Sequence, residues 1–176
     1  MLQNFIDIVG IADPSSFPII TALDRYKQFE VEETLVIPTV KPDVEQITQV
    51  LIEAAITDYR TIITPTGLKV ILNGNLKQKI IYVANEPTQS VHSAEFVKPF
   101  CDFITVDLII PAGTSVTQLL QTAGVTLDTV VTSGPNVLVE DLSVKLIDLR
   151  TISKCAILFA WVGVNPLLAA ILKPTV

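Results

Sequence analysis

The chain has 176 residues, enough for one domain that buries roughly 70% of its unfolded surface. Hydrophobic residues make up 49%, charged residues 17% and aromatics 6%, with a formal net charge of −6 and a mean hydropathy of +0.54. Without a basic run or an aromatic platform, nucleic acid is excluded as a partner, and so few polar side chains leave surplus apolar surface that predicts self-association.

The start, Met1 to Asp7, lacks a basic n-region and a long apolar h-region, so it is expected not to be a secretory signal. Residues 1–28 hold Pro14, Pro18 and Ser15-Ser16, and Phe5, Ile8, Phe17 and Ile19 among apolar residues without a period. That pattern predicts an extended N-terminal arm lying on its own domain or on a neighbour. A β-domain is expected over residues 29–164. Phe29, Val31, Glu33, Leu35 and Ile37 alternate with Glu30, Glu32, Thr34 and Val36, a strand with one wet face stopped by Pro38 and Pro42. Asp43 is placed to cap a short helical turn carrying Val44, Ile47 and Val50, before a long strand from Leu51 to Ile63. In Leu68 to Ala84, Asn73-Gly74 reads either as a hairpin turn or as a bulge in one bent strand. After a turn at Asn85 to Gln89, strands are expected over Val91 to Lys98 and Phe100 to Ile110.

Residues 111–136 form an insert with the best helix of the chain, capped by Thr114 or Ser115, striped by Val116, Leu119 and Leu120, and ended by Gly124. It is faintly similar to a ligand-binding β-grasp element; the plainer reading is a connection covering one end of the β-domain. Val137 to Val164 supplies closing strands, and the nearly all-apolar stretch Cys155 to Val164 reads as a strand buried on both faces. Asn165-Pro166 breaks it. Residues 165–176 form an apolar tail with Leu167, Leu168, Ile171 and Leu172, and the apolar stretch Ala156 to Leu172, interrupted by Asn165-Pro166, is short of the roughly 20 residues of a membrane span.

No catalytic, cofactor-binding or metal site emerges. His92, the only histidine, alternates with Ser93 on a strand, and there is no G-x-S-x-G or phosphate loop. Glu30, Glu32 and Glu33, like Glu140 and Asp141, read as solvated strand ends rather than calcium ligands. Cys101 and Cys155 lack C-x-x-C spacing, which argues against zinc; they are either two buried free thiols or a disulfide within or between subunits.

An ordered set of short pieces carries a family likeness. It runs through Gly10-Ile11-Ala12-Asp13-Pro14, Tyr26 to Phe29, Glu33 to Pro38 and Lys41-Pro42-Asp43 to Ile47. It continues through Asn73 to Ala84, Asn85 to Phe100, Val139 to Leu142 and Asp148 to Ile152. The set resembles the SPOCS domain of spore coat and exosporium proteins of anaerobic spore formers. The likeness covers residues 5–110 and 137–159, with a short loop at Thr64 to Gly67, and leaves 111–136 and the tail after Phe159 outside it.

The resemblance implies a structural part, made in the mother-cell cytoplasm and exposed at the spore surface, where oxidants would permit a disulfide. Together these readings predict an all-β, sandwich-like domain with one short helix and extended arms at both ends. The expected role is a self-assembling subunit of a spore-surface layer or filament, not an enzyme, with no cofactor. Its partners would be copies of itself and other spore-envelope proteins, with neither nucleic acid nor membrane. Phe5, Ile8, Phe17, Ile19, Leu167, Leu168, Ile171 and Leu172 are the candidate interface residues. The alternatives are a non-polymerising module docking on a spore-envelope scaffold, or a small-ligand binder through 111–136.

Overall fold

Period-two runs of apolar residues fold into seven strands, in a computed structural model that describes residues 5–174. In chain order these are β1 (Asp7–Val9), β2 (Asp24–Val36), β3 (Val44–Thr64), β4 (Gly67–Ala84), β5 (Val91–Asp107), β6 (Val131–Leu146) and β7 (Thr151–Val164), with helix α1 (Val116–Ala123) between β5 and β6. One sheet has the order β1-β3-β4-β5, the other β2-β7-β6. The sheets face each other, giving the expected all-β sandwich-like fold with one short helix.

Strand β4 sets the core. Its inward side chains Leu68, Val70, Leu72, Leu76, Ile80 and Tyr82 are all essentially inaccessible. Asn73-Gly74 is no hairpin turn; β4 runs straight through it, pairing with β3 on one side and β5 on the other. The bulge lies on the partner strand, where Thr57 is the extra residue between Ile56 and Asp58. Gly74 is needed because the Phe100 ring fills the space of a side chain: a Cβ would come within 2.3 Å of it and 2.5 Å of the Ala55 carbonyl oxygen. Phe100 in turn meets Phe29 of the other sheet at 5.6 Å between centroids. This contact lies where two apolar clusters meet, one around Leu76, Ile80 and Tyr82, the other around Leu68, Val70 and Leu72.

Two expectations are corrected. The helical turn after Asp43 is the start of β3. Register shifts between Val44 and Gln46 and between Ile47 and Gln49 each add one residue, so Val44, Ile47 and Val50 all face inward at a spacing of three. The two strands expected on either side of Pro99 are one strand, β5, which has only β4 beside it; an edge strand tolerates a residue without an N–H.

Helix α1 forms as its caps dictate. Ser115 and Gln118 make a reciprocal capping box, and Gly124 closes the helix with φ +69°. Val116 and Leu120 seal the second cluster. β7 lies in the middle of its sheet, and Phe17 covers its outer face with an edge-on contact to Phe159 at 5.5 Å.

Both arms lie on the domain. Asp7–Val9 pairs in parallel with β3, Ile11 bridges Val139, and the Ala12 amide donates to the Val139 carbonyl at 2.8 Å, so the segment ties the edges of the two sheets together. β2 begins at Asp24, within the stretch read as arm. The tail makes a 3-10 turn over Pro166–Ile171, and Leu172 bridges Leu108 after β5. Residues 1–4 of the arm and 175–176 of the tail lie outside the described residues.

Candidate interaction surfaces

The strands run end to end, so the sandwich has two opposite ends. At one end the loops 37–43, 85–90 and 147–150 are laced together by Arg150. Its Nε lies 2.5 Å from Asp43 Oδ1, and its Nη atoms donate to the carbonyls of Pro38 at 3.1 Å and Lys41 at 3.0 Å. Asp148 Oδ1 accepts from the amides of Arg150 and Thr151, both at 2.8 Å, which holds its carboxyl below the ordinary aspartate range. Tyr82 Oη donates to the Pro42 carbonyl at 3.2 Å, and burial pushes its phenol up. The Asn85 amide donates to the Asp43 carbonyl at 2.8 Å. Four of the pieces that carried the family likeness, namely Glu33 to Pro38, Lys41-Pro42-Asp43, Asn85 to Gln89 and Asp148 to Ile152, therefore meet in one polar brace. Apolar side chains stand out around it: Val40 is 90% exposed, and Val36, Val91, Ile147 and Leu149 are also exposed.

The opposite end is built from the β3–β4 hairpin tip, α1, the 3-10 turn Leu127–Thr129 and the tail. Buried Arg25 pins the tail there by donating to the Lys173 carbonyl at 2.7 Å. Ile62, Ile63, Ile109, Leu127 and Leu167 are exposed on this end. A depression of about 390 Å³ lies against the helix start, lined by Ile63, Pro65, Ile110, Ser115 and neighbours, but the Ser115 hydroxyl is already engaged in capping.

Between the ends, one seam of the sandwich carries inward charges. Gln78 Nε2 donates to Glu33 Oε2 at 2.6 Å, and Lys154 Nζ lies 3.3 Å from the same oxygen. The Lys154 ammonium is fully buried and has no hydrogen bond of good geometry, and neither has Gln78 Oε1. Burial pushes the Lys154 ammonium below the ordinary lysine value, against the pull of Glu33. The sequence reading missed this pair, although a signal exists. Glu33 stands in phase with Phe29, Val31 and Leu35, and Lys154 in phase with Ile152, Ala156 and Leu158, so each charge occupies a core position of its strand.

The candidate interface residues separate. Ile19 is 92% exposed, Phe5 81% and Leu167 63%, while Ile8, Phe17 and Ile171 are half-buried against the domain. Leu168 and Leu172 close the second cluster, so the folded domain already uses them and they are withdrawn as interface residues. Cys101 and Cys155 are both free, Cys101 exposed on β5 and Cys155 half-buried on β7, so the chain itself holds no disulfide between them.

The acidic run divides between faces. Glu33 turns inward, and Glu30 and Glu32 turn outward, where a carboxylate oxygen of each comes within 4.8 Å of Cys155 Sγ as the one potential ligand set among the described residues. His92 Nε2 lies 3.0 Å from Ser90 Oγ, a contact the reading of Ser93 did not foresee. The Ser90 hydroxyl also reaches Glu86 at 3.3 Å, so the carboxylate contacts the serine rather than orienting the imidazole as a base.

A family model described as the SipL, SPOCS domain matches residues 43–147, more than half of the 176 residues. The chain belongs to the SPOCS-domain family. Its match takes in residues 111–136, which lie outside the resemblance seen in the sequence, and does not extend to 5–42 or 148–159, which lie inside it. No curated protein and no solved structure matches the chain. SPOCS membership gives the chain a sporulation-related, spore-associated role. Among the described residues no helix is long and apolar enough to cross a membrane.

Proposed function

We propose that the chain is a self-assembling structural subunit of a bacterial spore-surface layer or appendage. Its work is mechanical rather than catalytic, and its partners are copies of itself and neighbouring envelope proteins. Made in the mother cell, it joins the spore surface from outside. The observation behind this reading is apolar surface left over after the core is complete. Two apolar clusters already draw inward side chains from all the long strands, yet Ile19, Val40, Phe5, Val91 and Leu167 remain more than half exposed. Such side chains gain by covering one another. The braced loops supply the second requirement, because a rigid contact surface loses little conformational freedom on docking.

The test is the state of the purified protein. Size-exclusion chromatography and negative-stain microscopy are expected to show extended assemblies, and antibody labelling of intact spores to mark their surface. A protein that stays monomeric or dimeric at high concentration would overturn self-assembly and favour a non-polymerising module on an envelope scaffold.

A further inference from the structure

The exposed apolar residues are not spread evenly over the surface. Ten of the seventeen large ones among the described residues lie on the two ends of the sandwich, five on each, and the long flanks hold the minority. We infer that copies stack end on end, the Arg150-braced end of one against the end of the next that carries α1 and the tail, to give a filament whose strands run along its axis. This rests on the self-assembly reading and adds its mode.

Three features favour this arrangement. First, each end is preorganised. Arg150 braces one, while Ser115 and Gln118 cap the helix and Arg25 holds the tail at the other. Second, charge favours unlike ends in contact. Around the braced end, Lys41, Lys145 and Arg150 stand against Asp43, Glu45, Glu86 and Asp148, an acidic excess of one. At the other end Arg25, Lys69 and Lys173 balance Asp24, Asp107 and Asp128. Two braced ends facing each other would set like charge against like, whereas unlike ends do not. Third, an unlike-end contact leaves a free copy of each surface at the two tips of any stack. Nothing closes it unless a rotation does, so growth continues as a filament rather than stopping at a dimer.

The experiment uses one exposed residue per end. Val40→Asp spoils the braced end and Leu167→Asp the other; at 90% and 63% exposure neither substitution touches the core, and far-UV circular dichroism checks the fold. Placing a carboxylate in an apolar contact should raise the critical concentration for assembly by roughly tenfold or more. Sedimentation is measured for each variant alone and for the two mixed. Each variant alone should be monomeric, because each lacks one of the two surfaces a stack needs. Mixed, they should form a dimer and nothing larger, since the one intact surface of each fits the other.

Dimers from each variant alone would mean that like ends pair, and would overturn the arrangement. Wild-type-like polymerisation by both variants would place the contact on the flanks, overturning the end-on mode while leaving self-assembly standing. A monomeric wild type would overturn self-assembly itself, and the end-on mode with it.

Discussion

Leu167 and Leu168 are adjacent leucines with opposite fates, and they test whether the tail is part of the domain. Leu168 is 0% exposed, while Leu167 is 63% exposed. The 3-10 turn that carries them is fixed at several points. Asn165 Oδ1 accepts from the Leu167 amide at 3.0 Å, the Leu168 amide donates to the Asn165 carbonyl at 2.9 Å, and the Leu172 amide donates to the Leu168 carbonyl at 3.1 Å. A cavity left by Leu168→Ala therefore has little freedom to collapse, and the loss should fall in the upper half of the ~2–5 kcal/mol seen for buried leucines. For a domain stable by about 5–15 kcal/mol that is a large share. With a urea m-value of about 2 kcal/mol/M, the unfolding midpoint of the unassembled protein should fall by roughly 1.8–2.5 M, followed by far-UV circular dichroism. Leu167→Ala should change stability by less than about 0.5 kcal/mol. Deleting residues 166–176 removes Leu168 and Leu172 together and should prevent folding, not release a smaller folded species. Equal small effects of the two leucine substitutions would refute the packing of the tail on its own domain.

The buried charge pair makes a second prediction. Glu33→Ala leaves the Lys154 ammonium buried without a counter-charge and should cost about 3–5 kcal/mol, whereas Glu33→Leu with Lys154→Met should be neutral or stabilising, both read by urea unfolding. Because burial lowers the folded-state pKa of Lys154, the unfolded chain binds its proton more tightly. Wild-type stability relative to the double variant should therefore rise with pH through the window just below the ordinary lysine value of 10.5 and level off above it. A third prediction concerns the brace. Arg150→Lys keeps the charge but loses the planar fork that spans Asp43 and the carbonyls of Pro38 and Lys41. It should cost on the order of 2 kcal/mol and expose the 37–43 loop to proteolysis, while unchanged cleavage there would show that the loops hold themselves.

Much of the fold was legible because alternation is a local signal. β2 declares its inward face residue by residue, and the Ser115 to Gly124 helix carries both caps within ten positions. What stayed hidden depends on a partner strand. Val44, Ile47 and Val50 show helical spacing only because β3 bulges twice against β4, and a bulge belongs to a pair of strands rather than to one. Asn73-Gly74 resembles a hairpin turn until Phe100, twenty-six residues on from Gly74, is known to occupy the missing side chain's space. Leu168 and Leu172 look like a sticky tail because the groove they fill is assembled from α1, β5 and β7, none of which the tail's own sequence can reveal.

The distribution of leftover apolar surface follows from the same alternation. Along a strand every second residue is committed to one face, so an apolar residue placed on a water-facing flank breaks the pattern that fixes register. The flanks stay largely polar for that reason, with Glu30, Glu32, Lys77, Lys79 and Glu95 on outward positions. Loops carry no such constraint. A sandwich subunit that must hold together without wetting its core is therefore free to put adhesive side chains where strands turn, provided the turns are stiff. In this chain Arg150 ties such turns together, and Val40, which stands out from one of them at 90% exposure, is apolar. Residues that look like a family signature in sequence thus meet in one polar brace, where the Arg150 guanidinium and the Asp148 carboxylate hold the loops from which Val40, Ile147 and Leu149 stand out.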